Sequence, residues 1–221
     1  MKADRTTTTV TNRVKILQEK FTQSLGLPFQ DLLSETTIKQ VIDELNIKYR
    51  CRLFDPFVTL WAFLSQVLDV DTRCHNAVSR IVAYLVDEKA EIPSTDTSAY
   101  CQARSRLPEK LLEKLFSKAA QSLEMKVTAE HLWCGRSVKV IDGSSVSMSD
   151  TLENQKAYPQ SKNQKPGCGF PIAKIGVIFS IATGAAIAIA IDVLNTHDIQ
   201  LARKLYQFLN PLDVLLGDRA S

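Results

Sequence analysis

The chain has 221 residues, of which 45% are hydrophobic and 23% are charged, so its composition excludes a disordered or fibrous protein. Its formal net charge of +3 is compatible with a nucleic-acid partner, but it excludes a protein that binds polyanions through bulk charge alone. Five cysteines without a CxxC pair fit neither a disulfide framework nor a zinc site, and we expect reduced thiols in the cytoplasm.

The first 130 residues carry the spacing of helices. In "DPFVTLWAFLSQVLD", Asp55 can cap a helix and Pro56 suits its first position. Its apolar residues recur at helical spacing and predict a core-facing stripe: Phe57, Leu60, Trp61, Leu64, Val67 and Leu68. Further helices are predicted over residues 73–86 and after Pro108. We expect Trp61 and Trp133 to pack in the core or between domains.

From Ser137 onwards the pattern changes to strands. It predicts a strand over 137–142, a long polar segment, a hairpin over 174–193, a helix over 198–209 and a strand over 213–217. Residues 175–191 carry no charge and are just long enough for a membrane helix. The turn sequence "ATGA" in their centre and the β-branched residues on both sides favour two buried strands instead.

Two of the predicted strands end at an aspartate. Asp142 follows "VKVI" and Asp218 follows "VLLG". A "DG" turn in water would explain Asp142 without any function. If the two strands are neighbours, about 4.8 Å apart, the two carboxylates could instead share divalent cations. The strand order expected here, a three-stranded meander followed by a helix and a fourth strand, is that of the ribonuclease-H-like core.

A long segment then carries a family resemblance. It comprises "VIDGSSVSMSDTLENQKAYPQSKNQKPGCGFPIAKIGVIFS", the following "ATGA" and the final "DVLLGDRAS", and it extends upstream through "TLWAFLSQVLD" and "AYCQARSRLP". It resembles the catalytic segment of DDE transposases of the IS-four type of bacterial insertion sequences. The resemblance implies that Asp142 and Asp218 are the first two catalytic acids and ligands of Mg²⁺ or Mn²⁺.

The expected fold class is α+β. A helical N-terminal domain over 1–130, beginning with a mobile basic arm, would precede the first part of a ribonuclease-H-like sheet (β-β-β-α-β) over 131–221. Transposases of this type carry a third acid, a glutamate in a Tyr-Arg-Glu-Lys type signature, well beyond the second aspartate. The sequence given stops three residues after Asp218, so we expect a truncated chain with negligible DNA cleavage of its own.

Double-stranded DNA at transposon ends is the expected partner, and a homodimer or pairing with a full-length transposase is possible. The polar segment offers Lys156, Tyr158, Lys162 and Lys165 for phosphate contact and base stacking, with a mobile solubilising loop as the alternative. Three arginines are further candidates for phosphate contact: Arg104, Arg106 and Arg219. Ordinary surface roles or ion pairs are the alternatives for these arginines.

Two other functions stay open at this point. The chain could be a non-catalytic DNA-binding or transposase-interacting protein that acts as a regulator or inhibitor. It could also be a magnesium-dependent nuclease unrelated to transposition, which would need a further acid. We expect a cytoplasmic, nucleoid-associated protein without a membrane span.

Overall fold

The computed structural model describes residues 32–50, 52–87, 89–161, 163, 165, 167 and 169–218. The chain divides into two compact units, Met1–Leu115 and Phe116–Ser221, which are called unit 1 and unit 2 below. The architecture combines helices with a four-stranded mixed sheet, so the predicted α+β class is confirmed. The predicted domain boundary between residues 130 and 131 stays a prediction.

Unit 1 is built from helices around one apolar core. They are α1 (Glu35–Glu44), α2 (Pro56–Leu68), α3 (Cys74–Asp87), α4 (Ser98–Ser105) and the first part of α5 (Glu109–Glu124). Helices α2, α3 and α5 were expected from the sequence. The other two were not, although Ser34 caps α1 by accepting a hydrogen bond from the backbone N–H of Thr37 at 3.2 Å.

Helix α2 begins as its sequence predicts. The Asp55 carboxylate accepts a hydrogen bond from the Val58 backbone N–H at 2.7 Å, and Pro56 occupies the first helical position. The predicted core stripe is wrong at its C-terminal end, because Val67 is 55% exposed and Leu68 is 51% exposed. Gln66 is buried there instead.

The buried amide of Gln66 is the centre of a hydrogen-bond network. The Tyr100 hydroxyl donates to Gln66 Oε1 at 2.6 Å, and Arg104 Nη1 donates to the same oxygen at 3.1 Å. The Gln66 amide nitrogen donates to the Thr72 carbonyl at 2.6 Å. Burial raises the pKa of Tyr100 to about 12, so its hydroxyl remains a proton donor at neutral pH. The network therefore satisfies the buried polar atoms of Gln66.

Unit 2 contains the sheet. Its strands are β1 (Val138–Ser147), β2 (Ile172–Ser180), β3 (Ala186–Val193) and β4 (Val214–Gly217), in the spatial order β3-β2-β1-β4. The pairs β1–β2 and β2–β3 are antiparallel, whereas β1–β4 is parallel. The predicted hairpin is confirmed as β2 and β3. No helix within the described ranges is long and apolar enough to cross a membrane.

Helix α7 (Asp198–Leu205) covers one face of the sheet. A Cβ at Gly176 would lie 3.0 Å from Leu201 Cδ2, so the absent side chain lets the helix approach the strand. Ile178 and Leu205 are fully buried at this contact. By strand alternation the opposite face carries large apolar residues that remain 37–48% exposed: Val146, Phe179, Ile189, Ile191 and Leu216.

The connection from β1 to β2 is more ordered than predicted. Strand β1 does not end at Asp142, because residues 144–147 continue the antiparallel pairing with residues 172–175. A short helix, α6 (Leu152–Ala157), follows, and Thr151 caps it by accepting a hydrogen bond from the Asn154 backbone N–H. Trp61 is buried as expected, but Trp133 is 61% exposed, so its predicted place in the core is wrong.

Candidate metal and DNA-binding site

The parallel pairing of β1 with β4 brings the two strand-associated aspartates to one place. Val138 pairs with Val214, and the register continues to Ile141 opposite Gly217. Its next step is Asp142 opposite Asp218, the residue directly after β4. A Cβ at Gly217 would lie 3.0 Å from Ile141 Cγ2, so the glycine relieves crowding between the strands just before the two acids.

Both acids belong to the face of the sheet that α7 does not cover. Ile141 and Ile178 form a cross-strand pair on the α7 face, and side chains alternate along a strand, so Asp142 projects to the other face. The same alternation from Leu216 assigns Asp218 to that face. Both residues are exposed, and Asp142 Oδ1 accepts a hydrogen bond from the Gly143 backbone N–H at 2.8 Å.

The donor set fits a hard divalent cation in type and is incomplete in number. Carboxylate oxygens are the ligands that Mg²⁺ and Mn²⁺ prefer, and two carboxylates on neighbouring strands can bind one ion. Nowhere in the described part of the chain does a group of three or more His, Cys, Asp or Glu residues form a metal-binding cluster. Asp142 and Asp218 together supply two carboxylates, and a complete metal centre needs further ligands.

A third carboxylate lies near β1 on the opposite face of the sheet. Asp198 Oδ1 would be 3.8 Å from a Cβ at Gly143. This oxygen pairs with Lys174 Nζ at 2.7 Å, and the same ammonium donates to the Thr196 carbonyl at 2.9 Å. Gly143 and Asp142 point to opposite faces because they are consecutive in the strand. Asp198 thus starts α7 and binds Lys174, and this geometry does not make it a ligand beside Asp142.

The residues expected to contact DNA are distributed over both units. In unit 2, Lys156 lies in α6 and is exposed, Tyr158 ends that helix and is half-buried, and Lys165 is exposed. Lys162 and Arg219 lie outside the described residues. The assignment of these side chains to DNA stays a prediction.

The two arginines of "CQARSRLP" have different surroundings in unit 1. Arg104 is half-buried in α4, bonds to Gln66 and lies over the Tyr100 ring at 5.8 Å from its centroid. Arg106 follows the helix, is exposed and lines a cleft. The sequence places both arginines before a helix start. Both do precede α5, which begins at Glu109, but Arg104 also lies inside α4, where its guanidinium bonds to Gln66.

A comparison with curated proteins identifies one similar transposase. The chain is 26% identical over 190 residues to the transposase InsG for insertion sequence element IS4 of Escherichia coli (strain K12). The match covers 86% of this chain and 42% of that relative, so the chain spans less than half of the relative's length. This similarity supports a transposase family and a transposase-related function. No protein-family model matches the chain. No solved structure matches it either.

Proposed function

We propose that this chain is part of a DNA transposase of the DDE type, in which Asp142 and Asp218 hold Mg²⁺ or Mn²⁺ for the cutting and joining of DNA strands. The observation that supports this most strongly is the parallel register of β1 and β4, whose next pair after Ile141 and Gly217 is Asp142 and Asp218. The similarity to the IS4 transposase points in the same direction.

We further propose that unit 2 has a ribonuclease-H-like arrangement. Its chain order is three antiparallel strands, a helix and a fourth strand, and the fourth strand pairs in parallel with the first. This connectivity brings a residue at the end of β4 beside the middle of β1. It thereby supports a shared location for Asp142 and Asp218, which are 76 positions apart in the sequence.

The chemistry assigned to the two aspartates is electrostatic. When bound, a divalent cation polarises a phosphoryl oxygen and makes a coordinated water a stronger nucleophile. Asp142 and Asp218 would hold the ion from one face of the sheet and balance part of its charge. The resemblance implies a further acidic ligand, a glutamate, and we propose that the full reaction requires it. Two exposed lysines of unit 2, Lys156 and Lys165, would contact the DNA backbone.

Binding of Mn²⁺ to the purified chain, followed by electron paramagnetic resonance, tests the metal assignment. We expect one Mn²⁺ site, and we expect Asp142→Asn and Asp218→Asn each to weaken it at least tenfold, because each removes one of only two charged ligands. Duplex DNA binding in the presence of Mn²⁺ is measured in parallel by fluorescence anisotropy.

Asp150→Asn is the matched control. Asp150 is an exposed aspartate of the same unit that accepts a hydrogen bond from Gln155 Nε2 at 2.8 Å, and the asparagine oxygen can accept it too. We expect this control to bind Mn²⁺ as the parent does. Equal Mn²⁺ affinity of all four proteins would refute the metal assignment. DNA binding without any Mn²⁺ site would favour the non-catalytic, DNA-binding alternative.

A further inference from the structure

Unit 1 contains a cleft of about 530 Å³ with a concentration of positive charge. Its cationic lining residues are Lys48, Arg50, Arg52 and Arg106. All four are exposed, and the residues that line the cleft include no Asp or Glu. Within the described part of the chain, none of the four belongs to an ion pair. These four residues with Tyr49 and Phe54 are called the cationic cleft below.

The segment that carries Lys48, Arg50 and Arg52 is fixed at both of its ends. At the end of α1, Asn46 has a positive φ of 50°, and the Ile47 backbone N–H donates to the Ile42 carbonyl at 3.1 Å. This closes the helix and fixes the direction in which the chain leaves it. At the other end Phe54 packs against Tyr100, with ring centroids 5.5 Å apart. The basic segment is therefore positioned on the core of unit 1.

The four cations that line the cleft favour an anionic ligand of high charge density. Four cations around one concave surface repel one another, and a cleft focuses their potential onto whatever enters it. Arginine binds phosphate through two parallel hydrogen bonds, and three of the four cations are arginines. A chain of phosphodiesters can satisfy several such groups at once along the length of the cleft.

The exposed ring of Tyr49 favours single-stranded nucleic acid over a duplex as the ligand of the cleft. Tyr49 lies between Lys48 and Arg50 in sequence, lines the cleft and is 55% exposed. Sites for single-stranded nucleic acid combine a basic groove along the backbone with an aromatic ring on which an unpaired base stacks. A duplex keeps its bases paired and would present only phosphates to the rim of such a cleft.

We propose that the cationic cleft binds a single-stranded stretch of DNA, with phosphates on Arg50, Arg52 and Arg106 and an unpaired base on Tyr49. The inference rests on the proposed function in so far as DNA is the ligand. It involves unit 1 alone and is independent of the metal assignment of Asp142 and Asp218. It adds to the chain a site for DNA whose strands are locally separated.

Fluorescence anisotropy with the full chain tests this proposal, using a labelled 20-nucleotide single strand and a blunt duplex of the same sequence, without divalent cations. We expect the single strand to bind more tightly. The double variant Arg50→Gln/Arg52→Gln should weaken its binding at least tenfold and reduce the slope of log affinity against log salt by about 1.4. Tyr49→Leu should weaken it about 5- to 150-fold, whereas Tyr49→Phe should retain it.

The matched control is Lys110→Gln/Lys126→Gln, which removes the same charge from two exposed lysines outside the cleft lining. We expect this control to change the affinity less than threefold. Equal losses in the cleft variant and the control would overturn the proposal, because bulk charge would then explain the binding. Equal affinity for the single strand and the duplex, together with no effect of Tyr49→Leu, would overturn it too.

Photocrosslinking of the unmodified chain to a bromodeoxyuridine oligonucleotide gives an answer that does not depend on the folding of variants. We expect crosslinked peptides to include Tyr49, and crosslinks found exclusively in unit 2 would contradict the proposal. A chain that binds duplex DNA and Mn²⁺ but shows no preference for single strands would refute this inference and leave the proposed function standing. A chain that binds neither DNA nor Mn²⁺ would refute both.

Discussion

The two units of this chain bury their apolar residues to very different extents. Among the described residues, the main cluster of unit 1 contains fifteen buried side chains contributed by five helices. The cluster in unit 2 contains three: Ile178, Ala188 and Leu205. In unit 2 one face of the sheet packs on α7, while the opposite face keeps large apolar residues such as Ile189 and Leu216 nearly half exposed.

The difference in buried apolar side chains indicates which unit is the more stable. Sheets with parallel strands are normally covered on both faces, because their strands are apolar on both sides. The face of unit 2 that carries Asp142 and Asp218 is only partly covered by the described residues, and both acids are exposed. We therefore expect unit 1 to supply most of the folding free energy and unit 2 to be the part more easily opened.

The largest expected loss of stability comes from a substitution that creates a cavity in unit 1. Leu85→Ala removes a side chain that is fully buried in α3 and should lower the free energy of unfolding of unit 1 by about 4 kcal/mol. The chain has two tryptophans, and replacing the exposed Trp133 by Phe leaves the buried Trp61 to report urea unfolding of this unit. Ile191→Ala, on the exposed face of the sheet in unit 2, is the control, and hydrogen exchange of the β3 amides should show a loss of less than about 1 kcal/mol. Equal losses would mean that the two units do not differ in packing as described.

A buried ion pair gives the next largest effect, in unit 2. Lys139 is 3% exposed in its side chain and pairs with Glu124, and its ammonium also donates to Ser180 Oγ at 3.2 Å. Glu124→Gln leaves a buried ammonium without its counter-charge and should cost about 3 kcal/mol. The double variant Lys139→Met/Glu124→Leu should recover most of this loss. Hydrogen exchange of the β2 amides measures the stability of unit 2 in both variants. A stability loss in the double variant as large as in Glu124→Gln would contradict the account.

The same pair makes the stability of unit 2 sensitive to acid. Burial alone would raise the pKa of the Glu124 carboxyl, but hydrogen bonds from Lys139, Ser180 and Thr183 outweigh it and lower the pKa below the usual value of 4.5. A group whose pKa is lower in the folded state contributes stability above its unfolded pKa and loses it as the pH falls through the folded pKa. We expect the protection factors of the β2 amides to fall below pH 4.5 in the parent and to depend less on pH in Glu124→Gln.

Asp55 gives the smallest expected change in stability. Its pH dependence is opposite to that of Glu124, because its pKa is raised and not lowered. Burial raises the pKa of this carboxyl from 3.8 to about 6, so its contribution to stability is complete below pH 3.8 and is lost as the pH rises through 6. Asp55→Asn keeps a capping oxygen and removes the charge, and it should stabilise unit 1 by about 1 kcal/mol at pH 7.5 relative to its effect at pH 5. Urea unfolding followed by Trp61 fluorescence at both pH values measures this difference. A difference of zero would show that the buried carboxyl is not the source of the pH dependence.

Local sequence signals predicted the helices and strands whose boundaries are set by capping or turn-forming residues. The cap at Asp55 and Pro56 defined the start of α2, and "ATGA" defined the turn of the hairpin. The expected adjacency of the first and fourth strands is also observed. Helix α4 was missed because its eight residues are too few to show a clear apolar stripe, and only Tyr100 and Ala103 are buried in it.

The features that depend on tertiary contacts could not be predicted in the same way. Arg104 and Arg106 are two residues apart in one sequence motif, yet one bonds to Gln66 and the other lines the cationic cleft. Their different roles follow from the position of α4 against α2, which no local pattern encodes. The cleft likewise joins residues 47–59 with residues 103–108, and Arg106 is more than fifty positions from the other three cations in the sequence.

The most direct test of the central claim is Fe²⁺-directed cleavage of the polypeptide, in which the ion replaces Mg²⁺ and, with added hydrogen peroxide and ascorbate, generates hydroxyl radicals that cut the nearest backbone. If β1 and β4 bring Asp142 and Asp218 to one ion, cuts should appear next to both residues and should disappear together in Asp142→Asn or in Asp218→Asn. Cuts beside only one of the two aspartates, or cuts that persist at one after the other is replaced, would show that they do not share a cation and would contradict the account.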